Sequence, residues 1–289
     1  MEDKEPHFPR VTVLMNCYNG ERFLRSAVES VLSQTMPDWE LLFWDNHSSD
    51  DSAAIVKSYD DDRILYHLAP EHTDLGEARR QACRHAAGEW IGVLDCDDLW
   101  MPEKLEQQLK AVVGKQHVGL IYSRSEEFSE NTSRIVPPFE APLPQGNIFS
   151  SLMRGNFICM PSLMYRRIVL EDLGGFKDYK YAEEYELSLR VARQYHAVGI
   201  DEVHCRYRVH ENNASHKLTE LGLQESLQIL SQFLPDPAAV DGMRQVRANY
   251  ACWALRQRKI LCALQQLIKG GMSTFCRMSW DRLMRVKQS

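Results

Sequence analysis

The sequence predicts an α/β protein whose sheet is mostly parallel and carries helices on both faces. Short apolar runs alternate with segments of helical apolar spacing from Val11 to Tyr122. Polar clusters follow several of the apolar runs, as at the carboxyl ends of parallel strands. The 289 residues are 44% hydrophobic and 26% charged, which is ordinary for a folded chain and allows one large domain with an extension.

The segment from residue 11 to residue 44 predicts a strand, a helix and a second strand. The run Val11–Met15 is apolar and rich in β-branched residues, and an Asn-Gly pair follows it. From Glu21 to Gln34 apolar residues recur at helical spacing, and Pro37 closes this predicted helix. Trp39–Trp44 then predicts a second buried strand.

The same alternation continues after a polar turn at residues 45–51. The remaining predicted helices are Ser52–Ser58, Gly76–Ala87 and Pro102–Val113. The remaining predicted strands are Arg63–Leu68, Glu89–Leu94 and Val118–Tyr122. Four prolines then mark a long irregular connection over residues 130–146, and such a connection is often functional.

Charge and cysteine content exclude several classes of protein. Residues 244–289 hold ten basic residues and one acid, a net charge of +9 that leaves −15 on residues 1–243. An acidic body argues against a nucleic-acid partner. Eight cysteines without a CxxC pair predict reduced thiols rather than a metal cluster or a disulfide framework. The sequence shows neither a signal peptide nor a transmembrane run, so we expect a cytoplasmic protein.

Three polar clusters, at residues 16–19, 45–51 and 95–98, fall at predicted strand ends and should converge at one edge of the sheet. Asp95, Asp97 and Asp98 repel one another unless a cation neutralises them. Oxygen ligands of this kind suit Mg²⁺ or Mn²⁺. The alternative is a solvated acidic turn, but the apolar strand before it favours the metal site.

An ordered series of motifs resembles family 2 glycosyltransferases of the GT-A fold. The motifs are Val11–Gly20, Ser33–Thr35, Trp44–Asp50, Leu75–Arg79, Gly88–Asp98, Pro161–Arg167, Gly174–Phe176, Tyr181–Leu187 and Tyr207–His210. The resemblance implies a tail (1–9), a GT-A domain (10–215) and a basic amphipathic helical extension (216–289). Within that domain it implies a nucleotide-sugar half (10–123) and an acceptor half (124–215).

The resemblance also implies an activity. A sugar would pass with inversion from a nucleotide-diphosphate sugar, a UDP-sugar first among them, to an acceptor hydroxyl, assisted by Mn²⁺ or Mg²⁺. The acceptor would be a saccharide or a lipid-linked saccharide in polysaccharide or glycolipid assembly.

The donor side is assigned by matching positions in the family. Asn16 and Tyr18 would line the nucleotide base, with Tyr18 able to stack on it. Asp45 and Asn46 would lie at the base edge, where the family commonly has Asp at the second position, so Asn46 leaves the nucleobase open. Arg79 would lie beside the diphosphate; its alternative is a surface ion pair with Glu77 or Glu89.

The diphosphate and acceptor sides follow in the same way. Asp95 would face the ribose, Asp97 would ligate the metal, and Asp98 would support it. His210 matches a position near the diphosphate or metal, although a lone histidine is also often structural. Two residues would lie on the acceptor side, namely Asn156 and Phe157.

The resemblance assigns the general base to Glu184. Inverting transfer needs a group that accepts the proton of the acceptor hydroxyl. Glu183-Glu184-Tyr185 matches the family's Glu-Asp-Tyr signature, whose second acid is the base. Alternatively, these acids complement the dipole at a helix N-terminus.

Two other functions stay open. A metal-dependent nucleotidyltransferase would want a Gly-rich phosphate loop, which residues 16–20 do not supply. A nucleotide-sugar-binding protein without catalysis gains slight support from Glu184 in place of Asp.

The basic extension carries an apolar stripe at helical spacing. The stripe comprises Val246, Tyr250, Trp253, Ile260, Leu261, Leu264, Leu267 and Ile268. Gly270-Gly271 ends it, and Met272–Val286 predicts a shorter basic segment. Residues 244–289 would contact an anionic membrane peripherally, at its inner face, or the stripe would pack on the catalytic domain.

Overall fold

A nine-stranded sheet runs through the computed structural model, which describes residues 9–129, 132–136 and 141–271. The strands are β1 (Val11–Cys17), β2 (Trp39–Asp45), β3 (Ile64–Leu68), β4 (Trp90–Val93), β5 (Leu99–Trp100), β6 (Val118–Phe128), β7 (Ser133–Val136), β8 (Met164–Arg166) and β9 (His196–Arg208). The helices are α1 (Glu21–Leu32), α2 (Ser52–Lys57), α3 (Leu75–Ala82), α4 (Lys104–Ala111), α5 (Phe149–Arg154), α6 (Arg167–Leu173), α7 (Glu183–Gln194), α8 (Ala214–Lys217), α9 (Thr219–Ser231), α10 (Pro237–Arg256) and α11 (Ile260–Gly270).

The strand order is β3-β2-β1-β4-β8-β6-β9-β5, with β7 beside β6. The first four of these strands are parallel, whereas β8 runs antiparallel to both β4 and β6. Strand β9 is parallel to β6, and β5 is antiparallel to β9. The α/β prediction is confirmed; the sheet is parallel in its first half and mixed in its second.

Most predicted elements appear with their ends moved by a few residues. Strands β1 and β2 are buried on both faces, which is why they read as continuous apolar runs. The predicted helix Gly76–Ala87 ends at Ala82, and a 3₁₀ turn follows it. None of the seven cysteines in the described part of the chain lies in a disulfide.

Two departures lie around the predicted irregular connection. Strand β6 continues beyond Tyr122 because its polar residues are buried and paired. For example, Arg124 donates to the carbonyl of Ala141 and to Asp201 at 2.6 Å. Within the connection itself, β7 forms a hairpin with β6. Because both of these segments are rich in polar residues, their strands could not be predicted from apolar periodicity.

Two apolar cores lie on opposite faces of the sheet. Successive side chains of β1 point to opposite faces of the sheet, so Leu14 lies in one core and Val13 and Met15 lie in the other. One core includes residues of α5, α7, α9 and α10, and the other includes residues of α1, α2 and α4. Both layers hold the carboxyl ends of β1, β2 and β4 in register.

Within the extension, the single apolar stripe that the sequence predicted is divided between two helices, α10 and α11. Asp236 caps α10 by accepting from the Ala238 N–H at 2.7 Å, and Pro237 occupies its first position. The helix ends at Arg256, and Arg258 has a φ of 58° before α11 begins. The predicted segment Met272–Val286 lies outside the described residues. Among the described helices, none has the length and apolarity needed to cross a membrane.

Candidate functional site

The aspartates that follow β4 form a compact carboxylate cluster. One oxygen from each of Asp95, Asp97 and Asp98 lies within 4.8 Å of the others. The Asp98 side chain is buried; one oxygen accepts from the Arg208 N–H at 2.8 Å, and the other has no hydrogen-bond partner in the described part of the chain. Burial, with Asp97 and Asp95 nearby, raises the pKa of Asp98.

The residues around this cluster fit a divalent cation. The three carboxylates supply oxygen ligands, and the unpaired oxygen of Asp98 is buried where a ligand would satisfy it. His210 Nε2 lies 2.9 Å from an Asp97 oxygen, and its contact with a metal or a diphosphate stays a prediction. Arg208 Nε also donates to the Asp97 carbonyl at 2.8 Å and fixes the turn.

Arg79 joins the two halves of the site. Helix α3 carries its guanidinium into the interior, where Nη2 donates to Asp95 at 2.7 Å and Nη1 donates to Glu183. Burial would lower the pKa of Arg79, but the carboxylates of Asp95 and Glu183 outweigh burial and raise it. The alternative surface pairs are not formed: Glu77 pairs with Arg80, and Glu89 with Arg166.

The two acids that begin α7 have different surroundings. Glu183 is buried against Arg79, whereas Glu184 is half-buried and lies in no salt bridge with a described cation. Burial raises the pKa of Glu184, and the Arg79 guanidinium only partly offsets this. An accessible carboxylate with a raised pKa suits a general base, so the geometry favours Glu184 over Glu183 for that role.

The end of β1 offers unsatisfied polar groups for a ligand. Asn16 is buried, and neither its amide oxygen nor its amide nitrogen has a partner among residues 9–129, 132–136 and 141–271. Tyr18 is exposed, and its ring centroid lies 4.3 Å from that of His72. His72 carries no sequence signal, because it stands in a polar loop with no periodic pattern. Together these residues present an unsatisfied amide and an exposed aromatic ring, and their contact with a nucleotide base stays a prediction.

The side chains of Asp45 and Asn46, at the end of the neighbouring strand β2, form hydrogen bonds with nearby parts of the chain. Asp45 accepts from the Ser48 N–H at 2.8 Å and from the Tyr66 hydroxyl at 2.7 Å. The Asn46 amide bonds to the backbone of Thr73 through its nitrogen at 2.8 Å and its oxygen at 3.1 Å. Both side chains therefore stabilise the loops that follow β2 and β3, and their contact with a nucleotide base stays a prediction.

A cavity of about 500 Å³ adjoins the cluster. Its lining residues are Arg22, Phe23, Phe128, Ser129, Arg208, Val209, His210 and Glu211. The Arg208 guanidinium lies 4.4 Å from the Phe23 ring centroid and 4.7 Å from that of Phe128. Asn156 and Phe157, predicted on the acceptor side, do not line this cavity; the Phe157 ring lies beside Tyr122.

A residue of the extension holds the segment before α7. Glu225 on α9 is buried and accepts from the backbone N–H groups of Lys180, Tyr181 and Ala182 at 3.0, 3.0 and 2.9 Å. Those amides immediately precede Glu183 and Glu184. No motif marks Glu225; its sole sequence signal is an acid in the middle of a helix.

Comparison with known proteins assigns the family. The sequence matches the profile of Glycosyl transferase family 2 over residues 12–174. It is 29% identical over 232 residues to the UDP-Glc:alpha-D-GlcNAc-diphosphoundecaprenol beta-1,3-glucosyltransferase WfgD of Escherichia coli, covering 79% of this chain and 88% of that protein. It is 30% identical over 184 residues to the putative glycosyltransferase EpsE of Bacillus subtilis, covering 62% and 64%.

Solved structures show the same fold. S. aureus TarS 1–349 in complex with UDP-GlcNAc aligns with a TM-score of 0.65 at 18% identity, covering 86% of this chain and 73% of that one. The mannosyltransferase PcManGT of Pyrobaculum calidifontis, in complex with GDP-Man and Mn²⁺, aligns with a TM-score of 0.64 at 20% identity, covering 94% and 79%. The chain therefore belongs to glycosyltransferase family 2 and is an enzyme with the GT-A fold.

Proposed function

We propose that this enzyme transfers a sugar, with inversion and with the help of a divalent metal, from a nucleotide-diphosphate sugar to a hydroxyl of a lipid-linked saccharide. The observation that carries the proposal is the position of Glu184. Its carboxylate is free of a cation partner among the described residues and adjoins Glu183, which binds the Arg79–Asp95 pair of the donor side.

A single displacement accounts for these groups. The acceptor hydroxyl oxygen attacks the anomeric carbon, and its proton passes to the Glu184 carboxylate. A new C–O bond forms while the bond to the diphosphate breaks, and the nucleoside diphosphate leaves with that electron pair. Arg79 holds Asp95 on the donor side throughout. A Mn²⁺ or Mg²⁺ ion held by Asp97 and its neighbours would neutralise the negative charge of the departing diphosphate.

We propose UDP as the nucleotide. Support comes from relatives: the WfgD name specifies UDP-Glc, and the TarS complex contains UDP-GlcNAc. PcManGT contains GDP-Man, so the same fold also accepts a purine nucleotide. Asn16 offers both a donor and an acceptor to a base edge, which is compatible with uracil.

We propose a lipid-linked acceptor on the pattern of WfgD, whose name specifies a GlcNAc-diphosphoundecaprenol acceptor. Such a substrate belongs to polysaccharide or glycolipid assembly at a membrane. The enzyme would then work peripherally at the inner face, with residues 244–289 nearest the lipid.

Titration calorimetry tests the donor half. UDP, GDP and dTDP are titrated with and without Mn²⁺ into wild type and Asp97→Ala. We expect manganese-dependent UDP binding that Asp97→Ala loses. Asp172→Ala, an exposed acid on α6, is the matched control and should bind as wild type does. Metal-independent binding in wild type, or unchanged binding in Asp97→Ala, would contradict the metal assignment.

Turnover of Glu184→Gln tests the catalytic half. With a diphosphate-linked acceptor, transfer should fall by about 10²–10⁴-fold while UDP affinity is retained. Transfer at the wild-type rate would remove Glu184 from the mechanism. Wild-type protein that binds the sugar nucleotide but transfers to none of a panel of acceptors would favour the binding-protein alternative.

A further inference from the structure

Helix α11 turns an apolar face away from the rest of the protein. Ile260, Leu261, Leu264 and Ile268 are 62%, 78%, 49% and 79% exposed. At 100° per residue these four positions fall within roughly a 100° arc of the helix. The opposite side packs on α10 through Ala263 and Gln266, which are buried.

This face is unusual within the described part of the chain. Ten large hydrophobic residues are exposed there, and these four come from the single helix α11. Leu255, at the end of α10, is a fifth nearby in sequence. Isolated exposed apolar residues need no explanation, but a cluster on one helix face marks a surface that another body covers.

The surroundings of the face are cationic. Arg256, Arg258 and Lys269 are exposed, and none forms an ion pair with a described carboxylate. Helix α11 contains no acidic residue. Lys259 does have a partner, Glu220, at 2.6 Å, and this contact ties the start of α11 to α9.

The structure also divides the stripe that the sequence predicted. On α10 the side with Tyr250, Ala251 and Ala254 is buried, so that part of the stripe packs on the protein. On α11, Leu267 packs against the cluster that contains Ala251 and Ala254 as well, whereas Ile260, Leu261, Leu264 and Ile268 are exposed. The membrane and packing alternatives therefore apply to different residues of the stripe.

We propose that α11 lies flat on an anionic bilayer, with Ile260, Leu261, Leu264 and Ile268 among the acyl chains. Arg256, Arg258 and Lys269 would lie among the head groups, because cations beside an inserted apolar face gain from anionic lipid. The choice of a membrane rests partly on the proposed lipid-linked acceptor.

The charges around this face favour an anionic bilayer over a second copy of the chain and over residues 272–289 as the body that covers it. A second copy of the chain would bring the same cations together across the contact. Residues 272–289 carry four further basic residues and one acid, so they would also add like charge to this face. An anionic bilayer satisfies both the apolar residues and their cationic neighbours.

Vesicle co-sedimentation of the full chain tests the proposal. The vesicles are phosphatidylcholine alone, or phosphatidylcholine and phosphatidylglycerol in equal parts. We expect wild type to bind the mixed vesicles, more weakly at high salt, and Leu261→Glu/Ile268→Glu to bind more than about tenfold more weakly. Val113→Glu/Ile168→Glu adds the same charge at two exposed apolar positions elsewhere and should bind as wild type does.

Other outcomes overturn the proposal. They are wild type that ignores anionic vesicles, a Leu261→Glu/Ile268→Glu variant that binds as wild type does, or a wild-type dimer that this variant converts to monomers without any vesicle binding. UDP binding with Mn²⁺ is measured on the same samples without vesicles. Intact UDP binding shows that the variant is folded, and it separates a failure of docking from a failure of the proposed transferase function.

Discussion

Replacing Glu225 by Gln should destabilise the protein and slow sugar transfer, although Glu225 lies outside the residues that match the family. Its carboxylate is 8% exposed and accepts three backbone N–H groups from residues 180–182. The next two residues are Glu183, which binds Arg79, and Glu184, the proposed base. Glu225 therefore acts as a positioning residue.

The hydrogen bonds set the size of the effect. If the glutamine side-chain oxygen faces Tyr181 and Ala182, it still accepts both of their N–H groups. Because this oxygen carries no full negative charge, each of the two hydrogen bonds is weaker by about 1 kcal/mol. The amide NH₂ then faces the Lys180 N–H, which loses its acceptor at a cost of about 1–3 kcal/mol. The total is about 3–5 kcal/mol, or roughly 6–20 °C in Tm for a protein of this size. A shift of the α7 N-terminus by a fraction of an ångström should lower kcat by roughly 10–100-fold.

Thermal unfolding and steady-state kinetics measure the two effects. Glu220→Gln is the matched control, because Glu220 lies on the same helix and binds Lys259 and Tyr250 near the surface. That variant should lose less than about 1 kcal/mol and keep its kcat. We expect Glu225→Gln to lower kcat more than it raises the donor KM. If the two variants unfold at the same temperature and turn over at the same rate, the inference about residues 180–182 is refuted.

Three further changes have outcomes that the structure determines. Burial lowers the pKa of Lys104 to about 7, so the unfolded chain binds an extra proton between about pH 7 and pH 10 and wild-type stability rises with pH there. Lys104→Met should therefore be more stable than wild type near pH 6 in chemical denaturation, by a margin that shrinks by up to about 1.4 kcal/mol per pH unit above pH 7. Because burial raises the pKa of Glu184, the acid limb of the kcat–pH profile should lie above the range of an exposed glutamate, and Glu184→Gln should lack that limb in its residual rate. A Cβ at Gly242 would lie 1.9 Å from the Met153 carbonyl oxygen, so Gly242→Ala should lower stability by about 1–3 kcal/mol in thermal unfolding, whereas Gly155→Ala, which meets open space, should not.

The sequence was sufficient for the parts of the fold that a local pattern encodes. Strands β1 and β2 are apolar because both faces are covered, and the aspartates after β4 follow directly from that strand. Strand β7 and the second half of β6 were missed because their pairing depends on partners such as Asp201 for Arg124. A polar residue in a strand is recognisable only once its distant partner is known.

Some residues of the candidate site could also be predicted from sequence motifs, and others could not. Motif order predicted one site for Arg79, Asp95, Asp97, Glu184 and His210, and the structure shows the contacts Arg79–Asp95 and His210–Asp97, while their roles stay predictions. It did not indicate that Arg79 would bind Glu183 as well as Asp95, since those acids are far apart in the chain. Nor did it indicate that the Asn46 amide would be used by the loop at Thr73. His72 and Glu225 had no signal, because each acts through a contact that only the fold creates.

Direct packing connects α11, the proposed membrane helix, to α7, which carries the proposed base Glu184. Helix α11 packs on α10 through Ala263, and α10 approaches the Met153 carbonyl of α5 at Gly242. Helix α5 in turn meets α7, where the Tyr185 hydroxyl donates to the Leu152 carbonyl at 3.2 Å. A sugar carried on a lipid reaches a general base only if that base is held at a set height above the bilayer. The contacts from α11 through α10 and α5 to α7 supply such a connection. Helices α10 and α11, which lie outside the residues 12–174 matched by the family profile, therefore help to position Glu184.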